Sequence, residues 1–192
     1  MSDHGELRTE RLTLRRPVPS DVAAVHAIHR DPAAHAHNPS DAVDTSDEAA
    51  HLLERWLTHW RCYGFGYWVV RLHGAEPALG FCGVKFTEID DRRALNLFYR
   101  FGPASWGRGV ATEAARAVVR WARAYLPEFP VVARVRPANT ASQRVAVKAG
   151  LARAERLDRD GEDPRVEPLH HRQAGEQPGR LPVQPAPVRG LG

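Results

Sequence analysis

The sequence predicts a mixed α+β domain in which a mostly antiparallel sheet is flanked by helices. Three observations lead there. The apolar period changes from helical to two just after Gly64, three β-rich runs then follow one another across short turns, and a glycine-rich loop opens the longest helical stretch of the chain.

The elements follow in chain order. Arg11 to Arg16 alternates as a short half-buried strand before Pro17. Ser20-Asp21 is placed to cap a helix whose stripe is Val22, Val25, Ala27 and Ile28, ending before Asp31-Pro32. Residues Asp31 to Thr45 are polar and read as a loop or ragged helical turn. Ser46 is the expected cap of a second helix, with Asp47 and Glu48 in its first turn, then Leu52, Leu53, Trp56, Leu57 and Trp60 at helical spacing and Gly64 as the stop. Tyr67 to Leu72 and Leu79 to Phe86 are strands joined by His73-Gly74-Ala75-Glu76-Pro77, and Asp90-Asp91 turns into a third, Leu95 to Phe101. The helix from Val110 to Tyr125 sets Glu113, Arg116, Arg120 and Arg123 on a charged stripe and Ala111, Ala114, Val118, Ala122 and Tyr125 on another. Val131 to Val135 reads as a short strand, and Asn139 caps a helix carrying Ala141, Val145 and Ala149 that stops at Gly150. Leu151 to Leu157 is expected to be one more strand.

A chain of 192 residues with 43% apolar side chains fits one domain with one sizeable core. The net charge is +4 with neutral histidines, and all but Lys85 and Lys148 of the 27 basic residues are arginine. The arginines are scattered without a long like-charge run, which argues against a nucleic-acid partner, whereas an anionic small molecule needs only a local patch. Cys62 and Cys82 lie too far apart for a CxxC pair and suit a reducing compartment. No leader-like N-terminus and no long apolar run is present, so the expected place is the cytoplasm and no membrane is a partner. Six histidines lie between His26 and His59, but His35-x-His37 has no cysteine or carboxylate at a metal-binding spacing, so no metal is expected. Trp56, Trp60 and Trp68 either border an acceptor pocket or, as their spacing favours, fill the core.

The stretch Ser105-Trp106-Gly107-Arg108-Gly109-Val110-Ala111-Thr112-Glu113-Ala114 places two glycines at the opening of a helix. Glycine lets backbone approach a ligand closely, and the unpaired amides of a first helical turn bind anions along the helix dipole. There is no GK pair for a P-loop, and Thr112 stands where a dinucleotide fingerprint needs its third glycine.

Four motifs taken in order carry more than the loop alone. Thr9-Glu10-Arg11-Leu12 with Leu14-Arg15, Gly64-Phe65-Gly66-Tyr67-Trp68, the stretch Trp106 to Ala114, and Asn139 to Gly150 with Leu151 together resemble the GNAT superfamily of acetyl-CoA-dependent N-acetyltransferases over residues 7 to 158. Within it the chain looks most similar to the ribosomal-protein N-terminal acetyltransferases of the RimJ/RimL type. The resemblance implies a transferase moving acetyl from acetyl-CoA to a primary amine, either a protein N-terminus or a small molecule, by direct attack in a ternary complex, the protein being a monomer or homodimer. It implies that Trp106, Gly107, Arg108, Gly109, Val110 and Ala111 hold the pyrophosphate, that Asn139 contacts the pantetheine arm, and that Ser142 protonates the coenzyme A sulfur. It also implies a backbone amide at a bulge within Leu97 to Phe101, with Phe101 in the coenzyme site, polarising the thioester carbonyl. Asn139 and Ser142 also read simply as the N-cap and the third residue of a helix.

A glutamate often stands in relatives where this chain has Asn96, which takes no proton. Glu88, Asp90, Asp91, His26, His29 or His51 acting through water is an alternative, and an N-terminal amine is partly neutral without any base. Relatives end in a further strand, but here Pro164 and Pro168 bracket Arg165-Val166-Glu167, so that strand is expected to be missing or aberrant. The division expected is a GNAT domain over 1–158 and, over 159–192, a Pro/Gly/Arg-rich disordered tail with a composition like that of out-of-frame translation. Asn96 and the aberrant end raise the alternative of a non-catalytic acyl-CoA-binding domain.

Overall fold

The computed structural model describes residues 5–152. The strand expected over Leu151 to Leu157 falls outside these residues beyond Ala152, as does the whole of 159–192.

Six strands form one sheet in chain order, β1 (Glu6–Arg8), β2 (Leu12–Arg15), β3 (Tyr67–Leu72), β4 (Gly80–Ile89), β5 (Arg92–Phe101) and β6 (Val131–Val132). Every neighbouring pair is antiparallel except β5 with β6. The helices are α1 (Val22–His29), α2 (Pro32–His35), α3 (Ser46–Tyr63), α4 (Val110–Tyr125) and α5 (Thr140–Lys148).

The alternation read in the sequence puts opposite faces of the strands into two cores. Leu12, Leu14, Trp68, Val70, Cys82, Val84, Leu95 and Leu97 face Ala114, Ala115, Val118 and Val119 of α4. Val69 and Phe81 on the other face pack on Val25 and Ile28 of α1 and Leu53, Trp56 and Leu57 of α3. Trp56, Trp60 and Trp68 are buried and pack in these two cores. Truncating an aromatic of this kind to alanine costs about 3–5 kcal/mol.

Several boundaries differ from expectation for visible reasons. The cap of α3 is Thr45, whose extended backbone lets its Oγ1 accept from Glu48 N while the Glu48 carboxylate returns to Thr45 N; Ser46 is already helical. Asp21 sits at the start of α1 but has helical φ and ψ, because the 3-10 turn Pro19–Asp21 runs directly into the helix. Its buried carboxylate instead takes the Arg15 guanidinium and the Val18 N–H. Glu6–Arg8 adds an edge strand that no sequence signal marked. The β4–β5 hairpin closes at Ile89↔Arg92 across Asp90 and Asp91, both at positive φ (48° and 59°), and this tight turn extends both strands beyond their expected ends. β6 is only two residues long; the chain leaves the sheet after Val132 and turns at Arg136 to Asn139 before α5.

Candidate active site

β5 delivers the chain to the glycine loop through the 3-10 turn Pro103–Ser105, pinned by the Ser105 hydroxyl donating to the Gly102 carbonyl. Gly107 and Gly109 both adopt left-handed φ, +72° and +74°, which only glycine enters without strain. Gly109 is the N-cap of α4, so no side chain closes the helix from that position. The N–H groups of Val110, Ala111 and Thr112 have no intrahelical acceptor by geometry, and they are what an anion meets. The side chain of Val110 is buried, leaving only its amide to offer.

The loop is held from behind. The Glu113 carboxylate accepts from Thr9 Oγ1 (2.5 Å), Arg11 N (3.0 Å) and Arg11 Nε (2.7 Å). Arg11 Nη1 donates to the Arg108 carbonyl at 3.2 Å. Burial alone would raise the Glu113 pKa, but these bonds from Thr9 and Arg11 outweigh it and hold the group below its ordinary value. Thr9 and Arg11 belong to one sequence motif and Glu113 to another, and nothing local marks the contact between them, because 102 positions separate Arg11 from Glu113.

The second half of the site is the open edge of β5. β4 pairs with β5 in unbroken register from Gly80↔Phe101 to Ile89↔Arg92, so the expected bulge within Leu97 to Phe101 is absent. Divergence replaces it. β6 pairs only with Leu95 and Asn96, after which the strands separate. Leu95 N–H points to that edge, where it donates to Pro130 O, whereas Gly102 N–H donates to Leu79 O on the β4 side. The alternation therefore turns the amides of Tyr99 and Phe101 to the open edge, where no strand covers them among the described residues. The Phe101 ring belongs to the core and its carbonyl accepts from Trp106 Nε1 at 2.9 Å, so its amide is what remains for a ligand. Trp106 is itself half exposed.

Across the gap, Asn139 Oδ1 accepts from Ser142 N at 3.0 Å, so the asparagine is an N-cap with its oxygen engaged. Ser142 meets Tyr99, a residue the sequence reading missed. Tyr99 Oη lies 2.8 Å from both the carbonyl oxygen and Oγ of Ser142. Burial raises the Tyr99 pKa, with the Ser142 hydrogen bond acting against it. The one available signal was strand alternation, which sets Tyr99 on the same face as Leu97 and Phe101.

On the opposite face Asn96 Oδ1 is buried with no partner among the described residues. Lys85 stands opposite it in register, its Nζ 4.5 Å above the Tyr67 ring, and burial with nearby Arg55 pushes its pKa down to about 8. The alternative bases are not gathered here. His29 is buried with Nδ1 donating to Val25 O, His26 contacts Asp44 O, Asp90 and Asp91 form the hairpin tip, Glu88 lies near that tip, and His51 is exposed on α3. No cluster able to hold a metal occurs among the described residues, and none of their helices is long and apolar enough to cross a membrane.

The model of the acetyltransferase (GNAT) domain family matches residues 11–152. The chain belongs to the GNAT acetyltransferases. It is similar to the uncharacterized protein YkkB of Bacillus subtilis, 33% identical over 89 residues that cover 46% of this chain and 52% of that protein, so the match spans about half of YkkB. Among solved structures, an acetyltransferase from Agrobacterium tumefaciens superposes with TM-score 0.63 at 28% identity, covering 76% of this chain and 82% of the other. RimL, a ribosomal L7/L12 alpha-N-protein acetyltransferase solved in complex with coenzyme A, shares the fold with TM-score 0.59 at 18% identity, covering 74% and 80%. This GNAT chain therefore has the six-stranded sheet and flanking helices of an acyltransferase.

Proposed function

We propose that this GNAT acetyltransferase moves acetyl from acetyl-CoA to a primary amine by direct attack in a ternary complex, as a RimJ/RimL-type enzyme of the cytoplasm whose catalytic unit is residues 1–158. The acceptor is a protein N-terminus or a small amine. The observation that carries the reading is the N-terminus of α4, opened by two left-handed glycines with no side-chain cap and lying next to the diverging edge of β5. RimL, with the same fold, is solved with coenzyme A, which supports acetyl-CoA as the donor.

In this reading the amides from Trp106 to Ala111 hold the pyrophosphate and Arg108 adds a charged contact, while the pantetheine arm runs past Asn139 into the gap. An amide of Tyr99 or Phe101 receives the thioester oxygen as it gains charge, a preorganised donor that costs no rearrangement. The amine attacks in its neutral form. Asn96 takes no proton, so the fraction of acceptor already neutral governs the rate. The departing sulfur takes a proton from Ser142.

The test is incubation of the full chain with acetyl-CoA and a panel of N-terminal peptides and small amines, following released thiol and acetylated product together. One acetylated amine per coenzyme A released is expected. Acetyl-CoA binding with no acceptor modified across the panel would overturn the transferase reading.

A further inference from the structure

We propose that Tyr99 is the source of the proton that reaches the leaving thiolate and that Ser142 relays it, the two hydroxyls acting as one unit. The proposal rests on the transfer reaction proposed above. The Tyr99 hydroxyl touches no substrate atom and acts through Ser142, so that side chain is a positioning and relay group, separate from any role of the Tyr99 backbone amide.

The geometry sets two arrangements of the same heavy atoms. Tyr99 Oη is 2.8 Å from the Ser142 carbonyl oxygen and 2.8 Å from Ser142 Oγ. A phenol has one proton to donate, and a carbonyl can only accept. In the first arrangement Tyr99 donates to the carbonyl, and Ser142 donates its own proton to Tyr99 Oη. In the second Tyr99 donates to Ser142 Oγ, which releases the serine proton to point into the gap between β5 and α5. Rotation of two hydroxyl hydrogens converts one into the other. The serine is otherwise fixed, since its N–H is held by Asn139 Oδ1.

The second arrangement balances the chemistry. As the carbon–sulfur bond breaks, its electron pair goes to sulfur, which takes the Ser142 proton; Ser142 Oγ takes the Tyr99 proton, and Tyr99 is left as phenolate. The proton shed by the newly acylated amine restores it through solvent. Serine alone would end as an alkoxide, a far stronger base than the thiolate it protonates. A phenol, ordinarily near pKa 10, is far closer to a thiol near 8.5 than a serine hydroxyl is, and burial, which raises Tyr99 above that ordinary value, keeps it protonated until it is called on. Packing does not require the hydroxyl, because the ring lies against the α4-side core, where phenylalanine would serve equally.

Tyr99→Phe, Ser142→Ala and the double variant test the proposal, with thermal unfolding as the control for folding. Each single variant is expected to lower kcat about a hundredfold, within the range of general acid catalysis, with the acetyl-CoA KM held within about twofold. The double variant should be no slower than the slower single one. The fall of wild-type kcat at high pH, where Tyr99 loses its proton, should be missing in Tyr99→Phe. A second readout needs no acceptor: coenzyme A itself is bound and its thiol titrated by thiolate absorbance, and the thiol is expected to titrate lower on the wild type than on Tyr99→Phe. Tyr99→Phe with kcat within twofold of wild type, multiplicative losses in the double variant, or equal thiol titrations would each overturn the relay alone. A wild type that binds coenzyme A but transfers nothing overturns the transferase reading while the thiol titration still decides the relay. A wild type that binds no coenzyme A overturns both.

Discussion

Arg11 and Glu113 meet side on, with Arg11 Nε 2.7 Å and Nη2 2.6 Å from the same carboxylate oxygen. Glu113 stands in the first turn of α4, where its charge favours the helix dipole but opposes an incoming anion. Arg11 offsets that charge, and its remaining nitrogen grips the Arg108 carbonyl in the glycine loop. Arg11→Met should therefore weaken acetyl-CoA binding about tenfold, close to 1.4 kcal/mol. The pair is partly exposed, and such pairs contribute about 1 kcal/mol or less to folding, so the melting temperature should fall only slightly. Arg11→Lys should be intermediate, since it keeps the charge and loses the fork. Calorimetric titration of both variants checks this, and unchanged affinity in Arg11→Met would separate the loop from the latch.

His29 gives the fold an acid-sensitive element. Burial, with Arg100 adding to it, pushes its pKa to about 4, while the ordinary value is 6.5. Between those values the unfolded chain binds a proton that the folded chain does not, so this contribution to stability is complete above pH 6.5 and is lost as pH falls towards 4. His29 is 2% exposed. Its share across the window is on the order of 3 kcal/mol. His59 is pushed to about 4 by burial and acts in the same direction. Urea unfolding of His29→Leu from pH 7 to 4.5 should show a shallower loss than wild type, and parallel curves would contradict the assignment.

The turn at Asp90 and Asp91 offers a stabilising change. Asp91 has φ +59°, a conformation glycine adopts without the penalty of a side chain. Asp91→Gly is expected to stabilise by about 0.5 kcal/mol, a rise of one or two degrees in melting temperature. Asp91→Val should lower it. A lower melting temperature in the glycine variant would count against the turn geometry.

Much of this was legible in the sequence because it rests on local rules. The α4 boundaries, Val110 and Tyr125, are marked by a glycine loop and by Leu126-Pro127, and Asn139 caps α5 as its residue type suggests. Tyr67 to Leu72 alternates as a strand must, and it is one. What stayed hidden depends on tertiary pairing. Asp21 leaves its capping role for a buried guanidinium, which no local propensity encodes. The expected bulge is replaced by divergence of β5 from a two-residue β6, a property of two segments separated by the whole of α4. Tyr99 carries no motif and gains its meaning only when α5 brings Ser142 within 2.8 Å.

The most direct measurement is calorimetric titration of acetyl-CoA into the full chain and into Gly109→Glu. Gly109 is left-handed and its Cβ position points towards Arg11 Nη2 at 3.6 Å, so the substitution costs about 1–2 kcal/mol of backbone strain and also sets a second carboxylate against the helix N-terminus. Thermal unfolding of the variant should confirm that it remains folded. Saturable binding of one acetyl-CoA per chain, lost in the folded variant, is the expected result. Equal affinity in the two proteins, or no binding by the wild type, would contradict the placement of the coenzyme on α4.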